Sequence, residues 1–139
     1  CDRCGQNEDT EHMFIECDKY PYPIWQHLER ILQTVYRSQI TRNQGRLGDM
    51  PKITRYQIMF LQKFNSLKEN ENLQIHSLVT TIKEGVYANR MKDHKPIMNE
   101  QRVQIHLINY LERAIKDIKA KSKPASLLES MKTEAINNI

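Results

Sequence analysis

From Ile24 onward, apolar residues recur three and four positions apart, stretch after stretch, and this spacing admits little besides packed helices. Ile24, Trp25, Leu28, Ile31, Leu32, Val35 and Tyr36 form one such stripe and predict an amphipathic helix over about 22–38. Pro21 and Pro23 fit only ahead of that helix or in its first turn. Gly45, Gly48 and Pro51 mark a loop. Ile53, Tyr56, Phe60, Phe64 and Leu67 then predict a second helix, broken at Asn70-Glu71-Asn72. Ile75, Leu78, Val79, Ile82 and Val86 predict a third over about 72–92. Gly85 inside it costs about 1 kcal/mol against Ala and points to close helix packing at that position. Asn99 is a good N-cap for a fourth helix, with Val103, Leu107, Tyr110, Leu111, Ala114 and Ile118 on its buried face. Pro124 opens a short tail helix with Leu127, Leu128, Met131 and Ile136, which docks on the bundle or hangs free.

The chain has 139 residues, with 4 Gly and 5 Pro, too few for a turn-rich β fold. No apolar run approaches the roughly 18 residues of a membrane span, and no secretory signal is present. The chain opens on Cys rather than Met, so the expectation is a piece of a longer polypeptide.

All three cysteines lie in the first seventeen positions, spaced Cys1-x2-Cys4-x7-His12-x4-Cys17. Three cysteines cannot all pair as disulfides. Two thiolates two residues apart converge on one point, and a His and a Cys on the next segment supply two more corners. Cys3His is a normal structural zinc set, and four protein ligands leave no open position for chemistry. Gly5 supplies the permissive backbone such a knuckle needs. The competing reading is three incidental cysteines and a surface histidine. With zinc bound at Cys1, Cys4, His12 and Cys17, Phe14 points away from the metal and joins Trp25 in the helical core. The fold class expected is mainly α: a small CCHC zinc knuckle (residues 1–25), a four- to five-helix bundle (26–121) and a C-terminal tail (122–139).

The net charge of +4 is unevenly spread. Residues 1–19 carry −4 and the remainder +8, a balance that suits a polyanion, or else a solvated helical surface. The cations concentrate between the first two helices, where Arg37, Arg42, Arg46, Lys52 and Arg55 face a single acid, Asp49. Tyr36 and Tyr56 flank that stretch; they either stack on bases or complete the apolar helix faces.

The run C-x2-C-G…E-D-T-x-H-x-F-x-x-C…I-W, borne here by Cys1, Cys4, Gly5, Asp9, Thr10, His12, Phe14, Cys17, Ile24 and Trp25, resembles the reverse-transcriptase zinc-binding domain. That domain ends LINE-like non-LTR retrotransposon polyproteins. The helical part, over about 20–118, resembles the long forms found in fungal retroelements, with Val86-Tyr87-Ala88-Asn89-Arg90 in place of an aromatic followed by Arg-Asn. The order is reversed here, so no role is carried to Arg90. The resemblance implies a structural Zn2+, an intracellular setting (cytoplasmic or nuclear), and RNA or DNA held weakly and without sequence preference. The polymerase domain of the same polypeptide is an alternative partner; a membrane or a small-molecule substrate is not expected.

Enzyme signatures are missing from the sequence. There is no Gly-rich phosphate loop, no nucleophile elbow and no Pro-Asp of a restriction-type nuclease. His27, His76, His94 and His106 are scattered over separate elements. The expectation is a non-catalytic fragment of a parent RNA-directed DNA polymerase. Three functions compete: a nucleic-acid-binding accessory module, a structural cap packed on the polymerase, and a protein–protein adaptor.

Overall fold

The computed structural model describes residues 23–43, 50–90 and 100–138, with Pro23, residues 40–43 and residues 89–90 described as backbone alone. Five helices follow in order: α1 (Pro23–Asn43), α2 (Arg55–Phe60), α3 (Glu69–Arg90), α4 (Glu100–Ala120) and α5 (Ser126–Asn137). There is no strand among the described residues. The zinc knuckle expected over 1–25 and the Asn99 cap fall outside those residues, Pro23, Ile24 and Trp25 excepted.

The apolar stripes become the core much as their spacing predicts. Pro23 opens α1, where its missing N–H and fixed φ cost nothing. Ile24, Trp25, Leu28, Ile31, Leu32, Val35 and Tyr36 are all buried, Trp25 at 3% exposure. Ile75, Leu78, Val79, Ile82 and Val86 are buried along α3. On α4, Ile108 and Ile115 join the six residues named from the sequence. The long helices pack α3 on α4, α4 on α5, and α1 across both α4 and α5. At Gly85 the ring of Tyr110 lies so close that an added Cβ would come within 2.4 Å of it. A helix-weakening glycine is therefore matched by an aromatic ring from α4 that fills the space over it.

The tail docks. Leu127, Leu128, Met131 and Ala135 of α5 are buried; Ile136, expected on that face, is 48% exposed. Ala125 at the head of α5 offers no side-chain cap. Gln74 of α3, fully buried, supplies one from outside: its Oε1 accepts from the amides of Leu127 at 2.9 Å and Leu128 at 3.2 Å. Its Nε2 is left buried without a partner, a cost against that gain. Lys119–Glu129 and Lys132–Glu112 ion pairs join α4 to α5 at the surface, contributing little each.

The connection between α4 and α5 is a Schellman turn. Lys123 N–H donates to the Ile118 carbonyl and Ser122 N–H to that of Lys119. Ser122 takes the left-handed conformation there, φ 58°.

The second helix is where the periodicity misleads. It ends at Phe60, because Leu61 turns left-handed with φ 52° and both Leu61 and Gln62 donate to the Tyr56 carbonyl. Residues 61–68 are a loop, and the predicted break at Asn70-Glu71-Asn72 is instead the first turn of α3. The cause is Asn72. Its buried side chain accepts from Phe64 N at 2.7 Å and donates to the carbonyls of Phe64, Leu67 and Lys68. That satisfies the loop's backbone groups without a helix. Glu69 and Glu71 then favour a new helix start beside the positive end of its dipole. Glu71 also accepts from Lys68 N at 2.9 Å, half of a capping box.

Candidate nucleic-acid interface

The segment ahead of α2 rests on the core through Met50, Pro51 and Ile53 and is tied to α1 by polar groups as well. Glu29 of α1 accepts the Ile53 amide at 2.6 Å, and Gln33, one turn on, donates to the Pro51 carbonyl at 3.0 Å. Thr54 then caps α2: its hydroxyl accepts from Tyr56 N, and Gln57 accepts from Thr54 N at 3.0 Å. Ile58, 2% exposed, is the one side chain of α2 sunk in the core.

What this mounting presents is aromatic and basic. Tyr56 and Phe60, four residues apart on α2, are 49% and 74% exposed. The Arg55 guanidinium lies 5.4 Å from the Tyr56 ring centroid, a cation–π contact that stiffens both groups. Lys52 is exposed beside them. Arg37, also exposed, lies one turn beyond Gln33 on the stripe of α1 that grips this segment. Residues 50–68 hold four cations, Lys52, Arg55, Lys63 and Lys68, and no Asp or Glu at all.

Of the basic residues named from the sequence, Arg37, Lys52 and Arg55 are exposed, the last two on the segment 50–68. Arg42 lies in the last turn of α1 with its side chain outside the described residues, and Arg46 lies outside them altogether. Of the two readings of Tyr36 the core one holds: at 8% exposure it completes the α1 core face and offers no ring for stacking. Phe60 takes its place as the second exposed aromatic, because α2 turns its 56/60 edge outward. The Thr54…Gln57 capping pair and the acid-free run 50–68 were signals for this in the sequence.

The metal ligands Cys1, Cys4, His12 and Cys17 lie outside the described residues. Among the described residues no cluster of three or more His, Cys, Asp or Glu is placed to hold a metal ion. His27 is buried on α1, and its Nδ1 accepts from Arg30 Nη2. Burial first, then the neighbouring Arg30 charge, hold its pKa below the ordinary histidine value, against an opposing pull from Glu100. That histidine is a neutral structural group. No described helix is long and apolar enough to cross a membrane.

No family model, curated protein or solved structure matches the chain.

Proposed function

We propose that the chain is a non-catalytic, zinc-holding module that binds single-stranded RNA or DNA weakly and with little sequence preference, of the kind carried by retrotransposon reverse transcriptases. One observation carries the binding: Tyr56 and Phe60 stand out from α2 among Lys52 and Arg55, in a run without acids. Exposed rings give sequence-tolerant stacking, and cations beside them take the phosphates. The Cys1, Cys4, His12 and Cys17 spacing supports a structural zinc, whose binding energy would hold the N-terminal segment in place. The intracellular, cytoplasmic or nuclear setting follows from such a partner.

A second reading draws on the same ring. Phe60, at 74% exposure, is also what a cap packed on the polymerase of the same polypeptide would present.

Fluorescence anisotropy with labelled oligouridylate and oligothymidylate separates the two. Replacing Arg37, Lys52 and Arg55 with Ala lowers the slope of log K against log salt by about 2, at about 0.7 per phosphate contact on a single strand. Tyr56→Ala with Phe60→Ala weakens binding by about tenfold or more at every salt concentration. Binding unchanged in both variants leaves the cap as the better reading. Elemental analysis of reduced protein should find one zinc per chain, lost in His12→Ala; protein without zinc refutes the metal assignment.

A further inference from the structure

Beyond α2 the acid-free run leads into a groove. Gln62, the second residue past the helix, has its carbonyl 3.4 Å from His76 Nε2, which fixes the end of α2 against the middle of α3. Lys63 follows and forms the wall of an open groove of about 580 Å³. Lys123 of the Schellman turn and the adjoining Pro124 line it too, with Glu69, Asn70, Leu73 and His76 of α3. A second hollow of about 320 Å³ continues the groove along α3 and shares Leu73, His76 and Lys123. Its far end is different, because Glu84 and Asp117 line it beside Lys121.

The charges set what fits. In the larger hollow Lys63 and Lys123 outnumber one carboxylate, Glu69, so a phosphate is favoured there. In the second hollow Glu84 and Asp117 offset Lys121 and Lys123, so nothing there favours a further phosphate. A strand cannot run its backbone through; the groove suits one terminal unit. Leu73, 40% exposed, offers an apolar surface for a base, and Asn70 an amide for its edge. Lys123 is held in position by a hydrogen-bonded turn rather than by a loose chain end.

We propose that this groove receives the phosphorylated end of the strand whose preceding bases stack on Tyr56 and Phe60. The inference rests on the nucleic-acid reading of α2 and adds to it a preference for a terminal phosphate.

The test uses the full chain and eight-residue oligouridylates bearing a 5′-phosphate, a 3′-phosphate or neither. One terminal phosphate should raise affinity about tenfold, the effect of one charge-assisted contact. The gain should vanish in Lys63→Ala/Lys123→Ala, while Tyr56→Ala/Phe60→Ala weakens all three oligonucleotides and leaves the ratio intact. The ring resonances of His76 should shift on adding the preferred oligonucleotide and stay still with the unphosphorylated one. Equal affinity for all three, or a gain that survives in the lysine variant, overturns the groove assignment and leaves the α2 site standing. A terminal-phosphate gain that tracks the lysines with α2 variants behaving as wild type overturns the α2 reading alone. No binding by the wild type at low salt overturns both.

Discussion

The four long helices and the segment 50–68 meet one core by different plans. In α1, α3, α4 and α5 the apolar stripe faces inward, and Leu28, Leu32, Ile75, Leu78, Leu107, Leu111 and Leu128 are shielded from solvent. In 50–68 Pro51, Ile58, Phe64 and Leu67 reach the core, but the six-residue helix among them turns two aromatic rings outward. The first region is stabilised chiefly by non-directional burial, with the Gln74 cap on α5 as its directional exception. The second depends on particular polar groups reaching particular backbone atoms from Glu29, Gln33 and Asn72. A surface intended for a partner has to be held without hiding the residues that meet it, and polar tethers from neighbouring helices do that.

The largest expected effect tests the contrast directly. Leu111→Ala removes a side chain with no exposed area from the centre of α4 and should cost about 3–5 kcal/mol. Phe60→Ala removes a larger side chain that is 74% exposed and should change stability by about 0.5 kcal/mol or less. Urea unfolding of the two variants measures this. Comparable losses would mean that Phe60 packs on something after all.

Asn72→Ala comes next. It removes the only acceptor shown for the buried Phe64 amide and the amide donor to the Leu67 carbonyl, while the Phe64 and Lys68 carbonyls keep the Leu67 and Asn72 N–H groups. The expected loss is about 2–4 kcal/mol, with the amides of residues 64–68 exchanging faster than those of α4. Uniform acceleration across the chain would show that the loop is no separate unit.

These two cases also show what the sequence could and could not disclose. Stripes such as that from Ile24 to Tyr36 were legible because burial by long helices follows spacing alone. Phe64 and Leu67 fitted the same spacing and both are buried, yet from a loop. The periodicity recorded their burial but could not see that Asn72 would take over their backbone bonds, since that contact is set by tertiary position. Likewise Tyr36 and Tyr56 looked equivalent beside the basic stretch, and only the packing of α1 separated the buried ring from the exposed one. Gln74 capping a helix 53 residues away had no local signal at all.

A smaller effect should appear with pH, and it belongs to the core rather than to the α2 segment. The His27 pKa is lowered on folding, so the unfolded chain binds a proton that the folded chain resists. Its contribution to stability is complete above the ordinary value of about 6.5 and is lost as pH falls toward the lowered folded value. Thermal unfolding of the wild type should weaken over that window, and His27→Asn should flatten the dependence. A slope unchanged in the variant would assign it to another group.

The smallest expected effect compares the two left-handed residues, one in each region. Ser122 and Leu61 both have φ near 55°, 58° and 52°, where a Cβ strains the backbone and glycine does not. Ser122 is exposed and its turn is closed by backbone bonds alone, so Ser122→Gly relieves strain and removes no packing. It should stabilise by about 0.5–1 kcal/mol, since the loss of unfolded-state restriction offsets only part of the relief. Leu61 is half-buried and packs against the core below α2. Leu61→Gly relieves the same strain but forfeits that contact, worth about 1 kcal/mol or more for a partly buried leucine, so its net effect should be zero or destabilising. The strained leucine is thus retained because its side chain joins Ile58 in fixing α2, the platform that carries Tyr56 and Phe60. Stabilisation by both substitutions would show that the leucine contact contributes nothing, and α2 would then be anchored by Ile58, the partly buried Met59 and its polar tethers.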